Sequence, residues 1–196
     1  MIQFLRTIAF SLCLLLSSLL GMQAQHVGIK TNLIPDIAFS PNLGLEVGLS
    51  RHCTLDISGE LNIWPINGHK WKHWMVQPEI RIWWCERFQG SFWGIHAIGG
   101  QYNFGNIPID FKFLGSDFSN LKEKRYQGWA AGAGVGYGYS WIFGKHWNME
   151  FEIGVGWMYT RYDAFPCTDC GTKLEEDRPH NYFGPTKLAL SLEYLF

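Results

Sequence analysis

The sequence predicts an all-β protein, an eight-stranded antiparallel up-and-down transmembrane β-barrel. Three observations predict it. The last ten residues alternate strictly: Leu188, Leu190, Leu192, Tyr194 and Phe196 against Lys187, Ala189, Ser191 and Glu193. The segment Gly128 to Trp141 alternates as cleanly, with aromatic or branched residues opposed by glycine. The connections between such segments alternate between short and long. Successive side chains of a strand point to opposite faces, so each alternating segment has one apolar face and one polar or bare face.

The chain opens with one positive charge, Arg6, and an apolar run from Ile8 through Leu20. Gly21, Met22, Gln23 and Ala24 follow as a small-residue cleavage context. Residues 1–24 therefore read as a secretory signal peptide, cut after Ala24, with 25–196 as the barrel. The run falls short of the roughly 20 residues of a spanning helix. Cys13 leaves with the leader.

The first strand is read over Val27 to Phe39. The second, Asn42 to Leu49, sets Leu43, Leu45, Val47 and Leu49 against Gly44, Glu46 and Gly48. The third, Thr54 to Ile63, sets Leu55, Ile57, Leu61 and Ile63 against Asp56, Ser58, Glu60 and Asn62. The fourth, Trp74 to Trp84, sets Trp74, Val76, Ile80, Ile82 and Trp84 against Gln77, Glu79 and Arg81. Pro78 interrupts it, because proline cannot donate to a ladder, and calls for a bulge or a place near a rim. The fifth, Phe92 to Tyr102, alternates poorly. In the seventh, Trp147 to Tyr159, Met149, Phe151, Ile153, Val155, Trp157 and Tyr159 oppose Glu150, Glu152, Gly154 and Gly156.

Connection lengths give an independent test. With both termini periplasmic, the periplasmic connections are Ser50 to Cys53, Glu86 to Gly90 and Gly144 to His146, all short. Three of the four outer ones are long, Pro65 to His73, Asn103 to Gln127 and Asp163 to Thr186; the first, near Ser40-Pro41, is short. Short periplasmic turns, long outer loops and an even strand number are the rule for outer-membrane barrels.

Alternation alone does not say which face is outside. A lipocalin-like barrel has the same period with its apolar face inward. Glycines inside a narrow barrel leave room for bulky partners from other strands. Trp74, Trp84, Trp129, Trp141, Trp147, Trp157, Tyr159 and Tyr194 fall near strand ends, as aromatic girdles do. Both arguments put lipid outside. The lumen then holds Lys30, Glu46, Asp56, Glu60, Glu79, Arg81, Glu150, Glu152, Lys187 and Glu193, a network in which carboxylates outnumber bases. It reads first as structural filling, and second as a cation or proton path. Leu192, Tyr194 and Phe196 form a terminal insertion signal for the barrel-insertion machinery.

Aromatic residues make up 16% of the chain and charged residues 17%, the second figure low for a secreted globular domain. Net charge implies no nucleic acid. Cys167 and Cys170 form a CxxC in a polar loop, read as a local disulfide; a metal site there would need more ligands than Asp169 and His180 supply. No cofactor is implied.

Several segments carry a resemblance: Lys30-Thr31-Asn32-Leu33, Pro41 to Glu46, Lys70-Trp71-Lys72-His73-Trp74 and Val76-Gln77-Pro78-Glu79. Gly99 to Asn103, Gly144 to Asn148 and Asn181 to Lys187 add to it. In these the chain resembles a family of small outer-membrane proteins from Bacteroides and relatives, known only as a domain of unknown function within the outer-membrane barrel superfamily. The resemblance implies a barrel in the outer membrane of a Gram-negative bacterium, with an accessory role beside fimbrial or adhesin components. It brings no catalytic residues.

The expected function is therefore non-enzymatic and structural or accessory at the cell surface. Expected partners are outer-membrane lipid and lipopolysaccharide, the insertion machinery, and a surface or fimbrial protein. The apolar loop residues Phe104, Phe111, Phe113, Leu114 and Phe118 would pack over the mouth or meet that protein. Lys70 and Lys72 among tryptophans would suit a phosphorylated headgroup. Two alternatives stand beside this reading. One is a lipid-modifying enzyme recruiting Ser91 with His96, or His73 and His180. The other is a soluble lipocalin-like barrel that binds an apolar ligand.

Overall fold

The computed structural model describes residues 26–64, 70–106, 112–113, 116–117, 124–166 and 171–196. The leader, Cys167, Cys170, Phe111, Leu114 and Phe118 lie outside the described residues, and Phe113 is described in its backbone only. Eight strands follow in chain order: β1 (Val27–Asn32), β2 (Asn42–Gly48), β3 (Cys53–Asn62), β4 (Lys70–Trp83), β5 (Gly90–Gly105), β6 (Arg125–Ile142), β7 (Trp147–Phe165) and β8 (Glu175–Leu195). Each pairs antiparallel with its neighbour in sequence, and β1 pairs with β8, so the sheet closes on itself. The eight-stranded, up-and-down arrangement is the one the sequence predicts. Closure leaves no free strand edge, which an open sheet would expose to pairing with other chains. A two-residue ladder, Lys112–Phe113 with Ser116–Asp117, lies outside the ring. No helix among the described residues is long and apolar enough to cross a membrane.

The faces sort as alternation requires. Buried residues on the inner face are mostly polar: Lys30, Glu46, Asp56, Glu79, Arg81, Glu150, Glu152 and Glu193 among them. The outer face exposes Ile29, Leu45, Ile80, Ile82, Ile95, Val135, Ile153, Val155 and Leu188. This is the reverse of a lipocalin. Glycines on the inner face of β5 and β6 give the bulky interior groups their room. A Cβ on Gly94 would stand 2.7 Å from the Glu79 carboxyl, one on Gly134 2.6 Å from His96 Nε2, and one on Gly136 2.7 Å from Glu152 Oε1.

The structure corrects four expectations. The first strand stops at Asn32, and Leu33–Ile37 forms a short helix, α1. Asn32 caps it by accepting from the Ile34 amide at 3.2 Å, and Pro35 sits early, where its missing N–H is no loss. Asn42 Nδ2 then donates to the Asn32 carbonyl at 2.8 Å and to Asp36 Oδ1 at 2.9 Å, clasping the connection. Second, the long connections are shorter than predicted, because the strands run on past the last alternating residue. The β5–β6 ladder continues to Gly105 and Arg125, and β7 and β8 pair as far out as Ala164 and Glu175. Third, Pro78 sits in mid-strand without a bulge. The β4–β5 rungs skip from Val76–Gly99 to Glu79–His96 with the register unchanged, so the missing donor falls in a gap. Fourth, the weakly patterned fifth segment is a full strand, alternating from Phe92, Gly94 and His96 inside against Trp93, Ile95 and Ala97 outside, and losing the alternation from Ile98 to Gly100.

The two ends of the ring differ. The connections 49–52, 84–89 and 143–146 are the short ones and share one end, the turn end. There Phe88 (φ +66°) folds into the lumen beside Trp83 and Phe92, all three buried. Its carbonyl accepts from Ser140 Oγ at 3.1 Å and Asn148 Nδ2 at 2.7 Å. The turn after β4 thus caps the barrel from below.

Candidate functional site

Directly above that cap lies the charged network. Arg81 is its hub, placed by the odd-numbered inner face of β4. Its Nε donates to Glu79 Oε1 at 2.7 Å. Its Nη1 reaches Glu46 Oε2 at 2.6 Å and Glu150 Oε2 at 2.9 Å. Its Nη2 reaches Glu152 Oε2 at 2.8 Å and lies 3.4 Å from Asp56. The guanidinium centre also sits 4.5 Å from the centroid of the Phe92 ring. Five carboxylates from β2, β3, β4 and β7 are thus gathered on one planar cation, whose fork of fixed donors suits them better than an ammonium would.

Lys30 of β1 bonds Glu46 and reaches Glu150 at 3.3 Å and Asp56 at 3.4 Å. Lys187 of β8 bonds Glu79 Oε2 at 2.6 Å and lies 3.0 Å from Glu152. Thr54 donates to Glu46 Oε1, and Trp83 Nε1 donates to Thr54 at 2.9 Å, tying cap to network. A break in the β7–β8 register between Pro185 and Lys187 leaves Thr186 without a rung. Its hydroxyl lies 2.8 Å from His96 Nε2, and His96 Nδ1 stands 3.6 Å from Glu79.

The buried charges do not balance. Glu46, Asp56, Glu79, Glu150, Glu152 and Glu193 face three bases, Lys30, Arg81 and Lys187. Glu193 is fully buried, and neither of its carboxylate oxygens has a hydrogen-bond partner among the described residues. Beyond the network the lumen opens into a cavity of about 310 Å³ lined by Lys30, Glu60, Trp71, Gln77, Arg81 and Lys187. Its floor is charged, and its walls mix polar residues with apolar ones, Ile34, Pro35, Ala38 and Met75 among them, a shape that can admit water or a small solute.

Nine of the ten residues predicted for the lumen meet in this half of the barrel. Glu60 does not: it lies higher, where it meets His73 Nε2 at 2.8 Å. The aromatic residues predicted for the girdles all lie on the outer face in two groups. Trp84, Trp141, Trp147 and Tyr194 are near the turn end, with Tyr194 packed on Trp147 (5.0 Å) and Phe196 (5.1 Å). Trp74, Trp129, Trp157 and Tyr159 are near the other end; Trp129 and Tyr159 rings lie 5.8 Å apart. Leu192 and Tyr194 share the outer face of β8, and Phe196 follows just past its end, exposed and packed on Tyr194. Lys72 and Trp74 also face outward and line one surface pocket with Trp129, whereas Trp71 turns in and stacks on Phe104 at 4.8 Å. Ser91 and His96 fall on opposite faces: Ser91 Oγ accepts from Tyr137 on the outside, and His96 is buried inside. They cannot act as nucleophile and base. Cys53 and Cys85 are both free thiols.

Sequence reasoning missed Trp83, Phe88 and Thr186. Trp83 shares the odd parity of Arg81, which was a readable signal. Phe88 in its turn and Thr186 in its bulge carry none.

A family model described as protein of unknown function (DUF3575) matches residues 10–196. The chain belongs to that family. No curated protein and no solved structure matches it. Family membership thus assigns no activity, and the functional reading rests on the geometry above.

Proposed function

We propose that the protein is an outer-membrane β-barrel of a Gram-negative bacterium, exported through a cleaved signal peptide, with a non-enzymatic accessory role at the cell surface. One observation carries this reading: the ring is inside-out, polar and charged within, apolar without. In water such a surface would be an aggregation hazard, because folded monomers rarely expose apolar patches this extensive. In lipid it is the expected face, and a closed ring is one of only two ways to satisfy backbone groups there.

The dimensions agree. Trp129 and Trp141 mark the two aromatic groups on β6. The twelve residue steps between them, at ~3.3 Å each and tilted by ~40°, span about 30 Å, enough to flank the ~25 Å apolar band of such barrels. The run Leu192, Tyr194 and Phe196 is then the signal read by the insertion machinery. The long connections face the exterior, where lipopolysaccharide and a surface or fimbrial protein would be met. Filled from Phe88 to Lys187, the lumen suits a structural role better than a pore.

Membrane fractionation tests this, followed by gel mobility with and without boiling. Outer-membrane recovery and a boiling-dependent shift are expected. A soluble protein without the shift would overturn the proposal.

A further inference from the structure

We propose that Glu46, Glu150 and Glu193 hold a divalent cation, calcium or magnesium, in the closed half of the lumen. Each can offer one carboxylate oxygen such that the three lie within 4.8 Å of one another. That spread fits ligands standing ~2.0–2.6 Å from one hard cation.

An acidic cluster alone would mean little. The second observation is Glu193, which is 0% exposed and has neither oxygen bonded among the described residues. Glu150 Oε1 and Asp56 Oδ1 are likewise buried and unpartnered. The two bases nearby are already committed to other oxygens. Lys30 and Arg81 both converge on Oε2 of Glu46 and Oε2 of Glu150. Glu193 thus points two unpartnered oxygens into a place where a carboxylate oxygen of Glu150 is also free.

A buried carboxylate must be paired, protonated or metal-bound. The local arithmetic favours the metal. Glu46, Asp56, Glu150 and Glu193 stand against Lys30 and Arg81, a surplus of two negative charges. A proton on Glu193 removes one of them; a divalent ion removes both. Every available ligand atom is oxygen, which selects hard cations over zinc or copper. The second buried triad, Glu79, His96 and Glu152, differs in that Lys187 bonds or contacts both of its carboxylates, which leaves a surplus of one negative charge that a single proton removes.

The inference rests on the ring and its interior, not on the membrane reading. Metal content can be measured in whichever fraction holds the protein. The full chain is purified with calcium and magnesium present, passed into metal-free buffer, and assayed by atomic emission. The site is sealed, so a bound ion should survive the transfer. About one divalent ion per chain is expected in the native protein and in Glu60→Gln, and none in Glu193→Gln. Native protein without a bound ion, even when refolded in millimolar calcium or magnesium, would overturn the proposal and leave Glu193 as a neutral carboxyl. Should Glu193→Gln fail to fold, the native protein still decides, through its metal content and through its unfolding temperature after refolding with calcium or with chelator.

Discussion

Near the short turns the lumen is full, and near the long connections it opens. The full half is built from short side-chain reach and high interdependence. Phe88, Trp83 and Phe92 close the floor, and Arg81 ties four strands together above them. The open half is built from smaller groups that do not share a hub: Glu60 on His73, whose ring packs with Trp71 and Phe104, then Arg125 over Phe165, and Arg161 with Asp177. The same ladder runs through both halves. The difference teaches that the backbone closes the ring, while the interior chemistry decides which half is rigid. A charge in the full half has nowhere to turn if its partner is lost, whereas a charge in the open half can turn to water.

The strongest way to break this contrast is Arg81→Met. It leaves Glu46, Glu79, Glu150 and Glu152, all buried, without their common donor. Breaking one buried pair costs ~3–5 kcal/mol, and here several break together, so a loss of at least about that size is expected. Urea unfolding in detergent micelles checks it. Glu60→Gln, the matching change in the open half, keeps an acceptor for His73 and is expected to cost only about 1 kcal/mol. Equal losses would show that the two halves are not different in kind.

A smaller effect isolates packing from charge. Gly138 faces the Phe92 ring, and an added Cβ would also lie 2.9 Å from the Phe151 carbonyl. Phe92 is wedged between Trp83 and the Arg81 guanidinium and cannot swing away. Gly138→Ala should therefore destabilise by ~1–3 kcal/mol, the range for overpacking a filled site. Gly99 has no atom within 4 Å of where its Cβ would stand, so Gly99→Ala should be neutral or slightly stabilising. Thermal unfolding of the two variants side by side is the measurement.

What could be read from the sequence follows the same division. Alternation sorts side chains between two faces, so the strand through Gly128 to Trp141 and the inward parity of Glu79 with Arg81 were both legible. Eight segments with alternating connection lengths were enough for the ring. Parity cannot say which inward residues meet across the lumen, because that depends on the stagger between strands. Glu60 has the right parity and still lies too high to reach Arg81. Beyond the last alternating residue the signal fades while the ladder does not, which is why Glu175 to His180 reads as loop and folds as strand. The turn at α1 is set by Asn32 and Asn42 bonding across ten residues, a pairing that no local pattern announces.

The smallest effect lies at the rim of the open half. Asp163, beyond the outer aromatic group, accepts from the Asp177 amide at 2.9 Å and lies 3.0 Å from Lys173 Nζ. These contacts, the backbone hydrogen bond first, hold its carboxyl below the usual range. A carboxyl lowered in the folded state contributes order that is fully present above its unfolded value and fades as pH falls through the folded one. Protection of the Asp177 amide from hydrogen exchange, corrected for intrinsic rate, should therefore decline once pH drops below about 4. Asp163→Ala should lower that protection at neutral pH and flatten its pH dependence. The amides of Arg81 and Glu152 should show no change in either case, because an exposed clasp can open without disturbing the filled half. A decline that spread to those amides would mean the rim and the interior open as one unit, and the contrast between the two halves would fail.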